Sequence, residues 1–212
     1  MKLAKPYSKG GFTLMEILIV IAILAFLAAG VWEAKGLIEG RQLRSTAQTQ
    51  IAQLETAMNA YRADNGDVCP YGRGDEWSSH VLYEALSCDE DNDGEPDKDK
   101  GSGVTRMPYC ETLVIVDTKS GEQMEGIPVV KKRITAKSDG RRIKGKYYLI
   151  FDPWGKPYRY RLGCEMSDDK GRVGSGINPD FDIFSLGADG LGNGLTNDNE
   201  NEDNISNIRS WK

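Results

Sequence analysis

The sequence predicts an α+β fold, in which one long amino-terminal helix precedes a head with a small antiparallel sheet. An apolar run from Ile17 to Val31 continues without proline into a pattern with the helical period, and this pattern ends near Asn65. Beyond Thr112 the apolar period falls to two, and glycine-containing turn signals separate the runs. Successive strands with no helix between them favour an antiparallel sheet.

The amino-terminal end combines a basic segment, a pair of glycines and the apolar run. Three lysines and no acid precede Gly11, and the fifteen residues from Ile17 to Val31 carry neither a charge nor a hydrogen-bonding side chain. Together with the residues just before it, this run approaches the roughly 20 residues that cross a bilayer. Glu16 stands at its start, where a carboxylate is costly and by default marks function.

Two ordinary interpretations compete for this segment. A secretory signal peptide needs a cleavage site with small residues, which Ala25, Ala28 and Ala29 supply, but an acid should not follow its charged region. A plain membrane anchor explains the lysines and the apolar run but leaves Glu16 unexplained.

Residues 9–31 closely resemble the class III leader of type IV pilins and pseudopilins. The resemblance implies that a prepilin peptidase cuts between Gly11 and Phe12, that Phe12 is then N-methylated, and that residues 1–11 form the leader. Glu16 becomes the fifth residue of the mature chain, which is where this family carries its acid. The new amine of Phe12 and the carboxylate of Glu16 attract each other strongly in a low-dielectric setting. A pair between neighbouring subunits would therefore set their axial register.

An amphipathic pattern follows the apolar run and predicts a continuation of the helix. Its apolar residues recur at steps of three to five, namely at Ile38, Leu43, Ala47, Ile51, Leu54, Met58 and Tyr61. We predict one helix from Phe12 to about Ala63, ended by Asp64-Asn65-Gly66. Residues 12–32 would lie in the membrane or in a filament core, residues 33–65 would pack on the head, and the head would comprise residues 66–212.

Charge and cysteine content narrow the class of protein. The net charge is −5, and removal of the three leader lysines leaves 24 basic against 32 acidic residues, which is −8. This balance argues against nucleic acid as a partner. The single histidine, His80, and the lack of a Ser-His-Asp set or a phosphate loop argue against an enzyme. We predict two disulfides in an oxidising compartment and leave their connectivity open. The four cysteines are Cys69, Cys88, Cys110 and Cys164.

The long connection that follows the helix contains a short predicted helix and an acidic segment. The short helix is predicted over residues 79–86. Carboxylates at alternating positions before a turn glycine are typical of a loop that wraps a hard cation, and here they are Asp89, Asp91, Asp93 and Asp97. An acidic, solvated loop is the alternative, because Lys100 stands where a bidentate glutamate is expected.

The strands of the head are predicted from the two-residue period. They are residues 112–117, 128–135, 146–152, 158–161 and 181–184, with turns at residues 119–121 and 138–140. One face of their sheet should pack on the second half of the long helix. Between residues 146–152 and 158–161, an Asp-Pro-Trp-Gly turn with large aromatic faces predicts an architectural rather than a catalytic role.

Three further stretches are similar to the major pseudopilins of type II secretion: residues 51–66, 152–160 and 181–190. The resemblance extends over residues 9–66 and 152–211 and fails in a variable region, residues 67–147. It implies a structural subunit that self-assembles into a helical filament, the periplasmic pseudopilus, and drives export across the outer membrane. The implied partners are copies of this chain, the prepilin peptidase, minor pseudopilins, the inner-membrane assembly platform and, before assembly, membrane lipid. The implied location is the inner membrane, spanned once with the head in the periplasm, and then the pseudopilus.

A type IV pilin for adhesion, motility or DNA uptake is the nearest alternative. A monomeric receptor or lipoprotein is a more distant one, because no lipidation cysteine stands near the leader.

The tail after residue 184 is rich in Gly, Asn and Asp and has too few apolar residues to order itself. In the resembled family a calcium ion organises this loop. Carried over, the ligands are Ser185, the carbonyl of Leu186, Asp189, Asp203 and Asn204, with Asp198 available to supply the charge that Asn204 lacks. The resemblance therefore implies a head with a metal-stabilised carboxyl-terminal loop.

Overall fold

The computed structural model describes residues 13–116, 126–138, 141–192 and 205–207, with the backbone alone at residues 28–38, 136–138 and 141. The chain divides into two compact units, Met1–Gln42 and Leu43–Lys212. One helix, α1, spans Leu14–Asp64 and belongs to both units. The predicted long helix is confirmed.

In the first unit, every described side chain from Leu14 to Leu27 is exposed. Among the helices in the described part of the chain, none is both long enough and apolar enough to cross a membrane.

In the second unit, α1 buries one face and ends at the predicted turn. The buried residues are Ala47, Gln50, Ile51, Leu54, Ala57 and Met58. They share one core with residues of the strands, and the hydroxyl of Tyr158 donates to Gln50 Oε1 at 2.9 Å. Gly66 follows the helix at φ 67°, a backbone conformation that glycine adopts without strain.

A second helix, α2, spans Glu76–Ser87 and confirms the short predicted helix with wider bounds. It begins three residues earlier than predicted because Asp75 caps it, with Oδ1 accepting from the backbone N–H of Ser78 at 3.0 Å. Its buried face includes Leu82, Tyr83 and Leu86.

In the part of the chain that the structure describes, six strands form two sheets of three strands each. They are β1 Leu113–Ile115, β2 Ile127–Ser138, β3 Arg141–Ile150, β4 Arg159–Leu162, β5 Phe181–Ser185 and β6 Ile205–Ser206. The strand orders are β1-β2-β3 and β4-β5-β6. The first five strands confirm the predicted ones, with bounds that differ by a few residues.

The sheets depart from the prediction in three ways. The described strands form two sheets instead of one. In addition, β1 pairs with β2 in parallel, so the antiparallel prediction is wrong for this pair. Parallel neighbours need more than a tight turn between them, and the turn predicted at residues 119–121 lies outside the described residues. The third departure is β6, a two-residue strand that we did not predict within the polar tail.

Candidate functional site

The start of α1 is closed by reciprocal hydrogen bonds between Thr13 and Glu16. The backbone N–H and the hydroxyl of Thr13 donate to Glu16 Oε2 at 2.8 and 2.9 Å, and the backbone N–H of Glu16 donates to Thr13 Oγ1 at 3.3 Å. This is a capping box, which satisfies N–H groups that have no partner within the helix. The Thr-x-x-Glu spacing before an apolar run signals such a cap, which we did not predict from the sequence. Gly11 and Phe12 lie outside the described residues.

Beyond the cap, α1 presents exposed apolar side chains all around its surface from Leu14 to Leu27. Leu14 is 91% exposed, Phe26 is 82% exposed, and the large apolar residues between them are each about half exposed or more. Soluble monomers rarely expose contiguous apolar surface of this extent, so such a patch marks an interaction site.

The acidic loop, residues 89–99, brings three predicted ligands together. Asp89, Asp91 and Asp97 each place a carboxylate oxygen within 4.8 Å of the other two. Asp93, the fourth predicted ligand, lies outside this cluster, and its Oδ1 accepts from the backbone N–H of Glu95 at 2.8 Å.

Asp89 is the buried foundation of the acidic loop, being 1% exposed. Its Oδ2 accepts from the hydroxyl of Tyr83 at 2.6 Å and from the backbone N–H of Gly94 at 2.9 Å. Its Oδ1 accepts from the backbone N–H of Asp93 at 3.1 Å. The end of α2 and the turn of the loop therefore hold this carboxylate in one position.

Negative charge accumulates around the cluster. Desolvation and then the charges of Asp93 and Asp97 raise the pKa of Asp91, although a backbone hydrogen bond lowers it. Burial, together with the charges of the loop, raises the pKa of Glu84 to about 7. Glu90 is partly neutralised, because Arg106 Nη1 lies 2.6 Å from its Oε1. Oxygen ligands with unrelieved mutual repulsion are the chemistry that suits a hard divalent cation.

The carboxyl-terminal turn, residues 185–192, follows β5 and contains the other predicted ligands that the structure describes. Ser185 is fully buried, and its hydroxyl donates to Asp152 Oδ2 at 2.5 Å. The carbonyl of Leu186 accepts from the N–H of Gly190 at 3.2 Å, while exposed Asp189 accepts from the N–H of Leu191 at 2.8 Å. Asp198, Asp203 and Asn204 lie outside the described residues.

Lys156 connects the carboxyl-terminal turn to the Asp-Pro-Trp-Gly turn. Its ammonium donates to the carbonyls of Gly187 and Ala188 at 3.2 and 2.7 Å. The same turn is closed by Asp152, whose Oδ1 accepts from the N–H groups of Trp154 and Lys156 at 3.0 and 2.8 Å. These contacts confirm the architectural role predicted for the turn. Asp189 is exposed at the surface of the carboxyl-terminal turn.

The cysteines do not form the predicted disulfides. All four are described, and all four are free, with Cys69, Cys88 and Cys110 buried and Cys164 exposed. Each of two thiols faces a backbone carbonyl instead, Cys88 that of Met107 at 3.5 Å and Cys164 that of Asn178 at 3.7 Å. Burial raises the pKa of Cys69 to about 11, which keeps it protonated and unreactive.

Known proteins match both the amino-terminal segment and most of the length of the chain. Residues 7–32 match the prokaryotic N-terminal methylation motif. The chain is 25% identical over 193 residues to the type II secretion system core protein G of Pseudomonas aeruginosa, covering 90% of this chain and 91% of the relative. The predicted resemblance to the major pseudopilins is confirmed. No solved structure gives a significant match to this chain.

Proposed function

We propose that this chain is a structural, non-catalytic subunit that self-assembles into the periplasmic pseudopilus of a type II secretion system and drives protein export across the outer membrane. The similarity over nine-tenths of both chains favours this role over that of a type IV pilin for adhesion, motility or DNA uptake. Its partners would be further copies of the chain, the prepilin peptidase, minor pseudopilins and the assembly platform of the inner membrane.

The exposed apolar surface of α1 from Leu14 to Leu27 is the observation that carries this proposal. Burial of apolar side chains is favourable by about 25 cal/mol per Å², so this surface requires an apolar environment. Lipid would supply it before assembly, with the chain spanning the inner membrane once and the head in the periplasm. The same helices of neighbouring subunits would supply it in the filament.

The methylation motif supports processing between Gly11 and Phe12. Cleavage would create a cationic amine at Phe12, close to the carboxylate of Glu16. Glu16 would then have two roles, since it caps its own helix and pairs with the amine of a neighbouring subunit. An acid buried among apolar helices without such a partner carries a large desolvation penalty.

We also propose a calcium ion in the head. The resembled family supports the carboxyl-terminal turn, where Asp189 is exposed at the surface and the hydroxyl of Ser185 donates to Asp152. The cluster of Asp89, Asp91 and Asp97 supports the acidic loop as the competing location. An ion in either place would supply positive charge and hold a polar loop against the head.

Processing is tested first by replacing Gly11 with a bulky residue. The expected result is that the precursor accumulates uncut in cells that contain the peptidase, because the residue before the cleaved bond no longer fits. Mass spectrometry of the parent should find N-methyl-phenylalanine at the new amino terminus. A mature terminus near Ala28 would instead identify a signal peptide.

The role of Glu16 is tested by two variants that separate its cap from its charge. Glu16→Gln retains a side chain that can close the capping box but removes the charge, and Glu16→Ala removes both. We expect both variants to be processed and to yield few filaments in electron micrographs of overexpressing cells that contain the assembly ATPase. A normal filament yield from Glu16→Gln would show that capping alone matters and would refute the charge pairing.

A further inference from the structure

The hairpin of β2 and β3 carries positive charge on one face. Its register pairs Arg133 with Lys146, Thr135 with Lys144 and Lys131 with Tyr148. Because paired residues share a face and alternate residues face the same way, five exposed cations lie on this face, which we name the basic face: Lys131, Arg133, Arg142, Lys144 and Lys146. The alternation of charges along residues 131–146 is visible in the sequence.

The opposite face of the hairpin packs on the head. Ile134 is buried at 4% exposure. Tyr147 lies edge-on to Trp77, with ring centroids 4.9 Å apart, and Lys132 Nζ lies 2.9 Å from Glu76 Oε1. The basic face is exposed at Arg133, Arg142, Lys144 and Lys146, whereas at its base Tyr148 packs on Tyr83 of α2 with ring centroids 5.2 Å apart.

Within the described part of the chain, none of the five cations forms an ion pair with a carboxylate, and Lys131 donates instead to the neutral carbonyl of Asn92. Arg133, Arg142, Lys144 and Lys146 are exposed, and none forms an ion pair with another residue that the structure describes. Arg133 stands directly opposite Lys146, and like charges in this position destabilise a strand pair. In a chain with net charge −5, this concentration of cations favours an acidic binding partner.

The acidic loop lies at the base of this face. Asn92 donates from Nδ2 to the carbonyl of Lys146 and accepts the N–H of Tyr148 at its Oδ1, at 3.0 and 3.1 Å, and Lys131 Nζ donates to the carbonyl of Asn92 at 2.7 Å. A strand rises about 3.3 Å per residue, so Arg142 lies about 20 Å beyond Tyr148. The loop of the same chain is therefore held at one end of the basic face and does not cover the other.

We propose that the basic face of one subunit binds the acidic loop of a second copy of this chain. Charge complementarity supports this partner, since Asp91, Asp93 and Glu95 are exposed carboxylates on the same head. A polyanion is disfavoured because the acidic loop borders the basic face and would repel it. Each subunit would offer its hairpin to one neighbour and its loop to another, a head-to-tail contact that suits an open filament. The inference rests on the proposed filament role and adds a contact in the variable region.

The test is a charge swap in the full-length chain. One variant is Arg142→Glu with Lys144→Glu, and the other is Asp93→Lys with Glu95→Lys. The solubilised chain is prepared with and without ¹⁵N, mixed in equal amounts and treated with a carbodiimide, which joins carboxylates directly to lysines. Mixed-isotope cross-links between residues 131–146 and residues 89–99 then report contacts between two chains. An unchanged melting temperature of each variant verifies that the head remains folded.

We expect mixed-isotope cross-links in the parent and about tenfold fewer in each variant alone, because the contact depends on several weak ion pairs together. Mixing the two variants should restore cross-links, since the reversed hairpin then faces a reversed loop. Cross-links confined to one isotope, or variants that behave like the parent, would overturn the inference. Parent chain that lacks mixed-isotope cross-links but binds heparin through Arg142 and Lys144 would assign the face to a polyanion and also overturn it.

Filament imaging separates this inference from the proposed function. If the parent forms filaments but gives no mixed-isotope cross-links, the hairpin contact is refuted and the filament role is not. Parent cells that contain the assembly ATPase but no filaments would refute the filament role, while the cross-links would still report whether two heads bind through these surfaces.

Discussion

Buried carboxylates occur in two regions of the head and are surrounded very differently. In the second sheet and its turns, Asp152 and Asp182 are 2% and 0% exposed, and their neighbours are N–H groups, a hydroxyl and a cation. In the acidic loop, Asp89 is equally buried, but the carboxylates of Asp91 and Asp97 approach within 4.8 Å. Carboxylates of the first kind are structural anchors, and those of the second kind retain repulsion that a cation would relieve.

Asp182 shows that burying a structural carboxylate costs desolvation free energy. Both of its oxygens accept backbone N–H groups, from Ile177 at 2.7 Å and from Asn178 at 2.9 Å, and Arg161 Nη1 lies 3.9 Å from Oδ2. Burial nevertheless raises the pKa of Asp182, so the partners do not fully compensate for desolvation. Such a pair contributes little net stability but is costly to break.

The largest expected effect comes from breaking this anchor. Asp182→Ala should lower the free energy of unfolding by about 3–5 kcal/mol, because the N–H groups of Ile177 and Asn178 would lose their acceptor and buried Arg161 would lose a nearby carboxylate. Chemical denaturation of the purified chain measures the change.

Asp180 provides the matched control for this substitution. Its carboxylate pairs with Arg62 at 2.9 Å but is 39% exposed, so Asp180→Ala should cost less than about 1 kcal/mol. Equal losses from the two variants would contradict the distinction between buried anchors and surface acids.

The next largest expected effect is the response of the melting temperature to calcium, which compares the acidic loop with the carboxyl-terminal turn. If the ion binds only the folded head, a hundredfold excess over Kd stabilises it by about 2.7 kcal/mol, and chelation should lower the melting temperature accordingly. Asp189→Ala should abolish the response if the ion belongs to the carboxyl-terminal turn, and Asp91→Ala should abolish it if the ion belongs to the acidic loop. A parent whose melting is unaffected by a chelator would contradict both sites.

The smallest expected effect concerns Glu84, which faces the charges of the acidic loop. Its pKa is raised from 4.5 to about 7, so between these values the folded chain holds a proton that the unfolded chain releases. Stability should therefore fall as the pH rises from about 4.5 to 7. Because the side chain is 40% exposed and solvent screens its charge, we expect a loss of about 1 kcal/mol.

Glu84→Gln should remove this loss by keeping the side chain neutral. The measurement is denaturation of parent and variant at pH 5 and at pH 8. Identical pH dependence in the two chains would show that the charge of Glu84 does not sense the acidic loop.

Features with a local physical cause were predictable from the sequence by itself. The period of apolar residues determines α1 and the strands, and Asp64-Asn65-Gly66 ends the helix as predicted because glycine tolerates positive φ. The capping box at Thr13 and Glu16 is equally local, and its spacing was readable although we overlooked it. The leader motif is likewise contained in one continuous stretch, which is why its resemblance was recognisable.

Only the tertiary structure decided which distant residues meet. The parallel pairing of β1 with β2 is one such decision, because the two-residue period of a strand is the same for either direction of pairing. The contact between Asn92 and Lys146 joins residues 54 positions apart, and it places the acidic loop beside the basic face. The periodicity of a chain reports which face of an element is apolar, but it carries no information about which distant element will cover that face. Packing of the whole core makes that choice, because many contacts must be satisfied together.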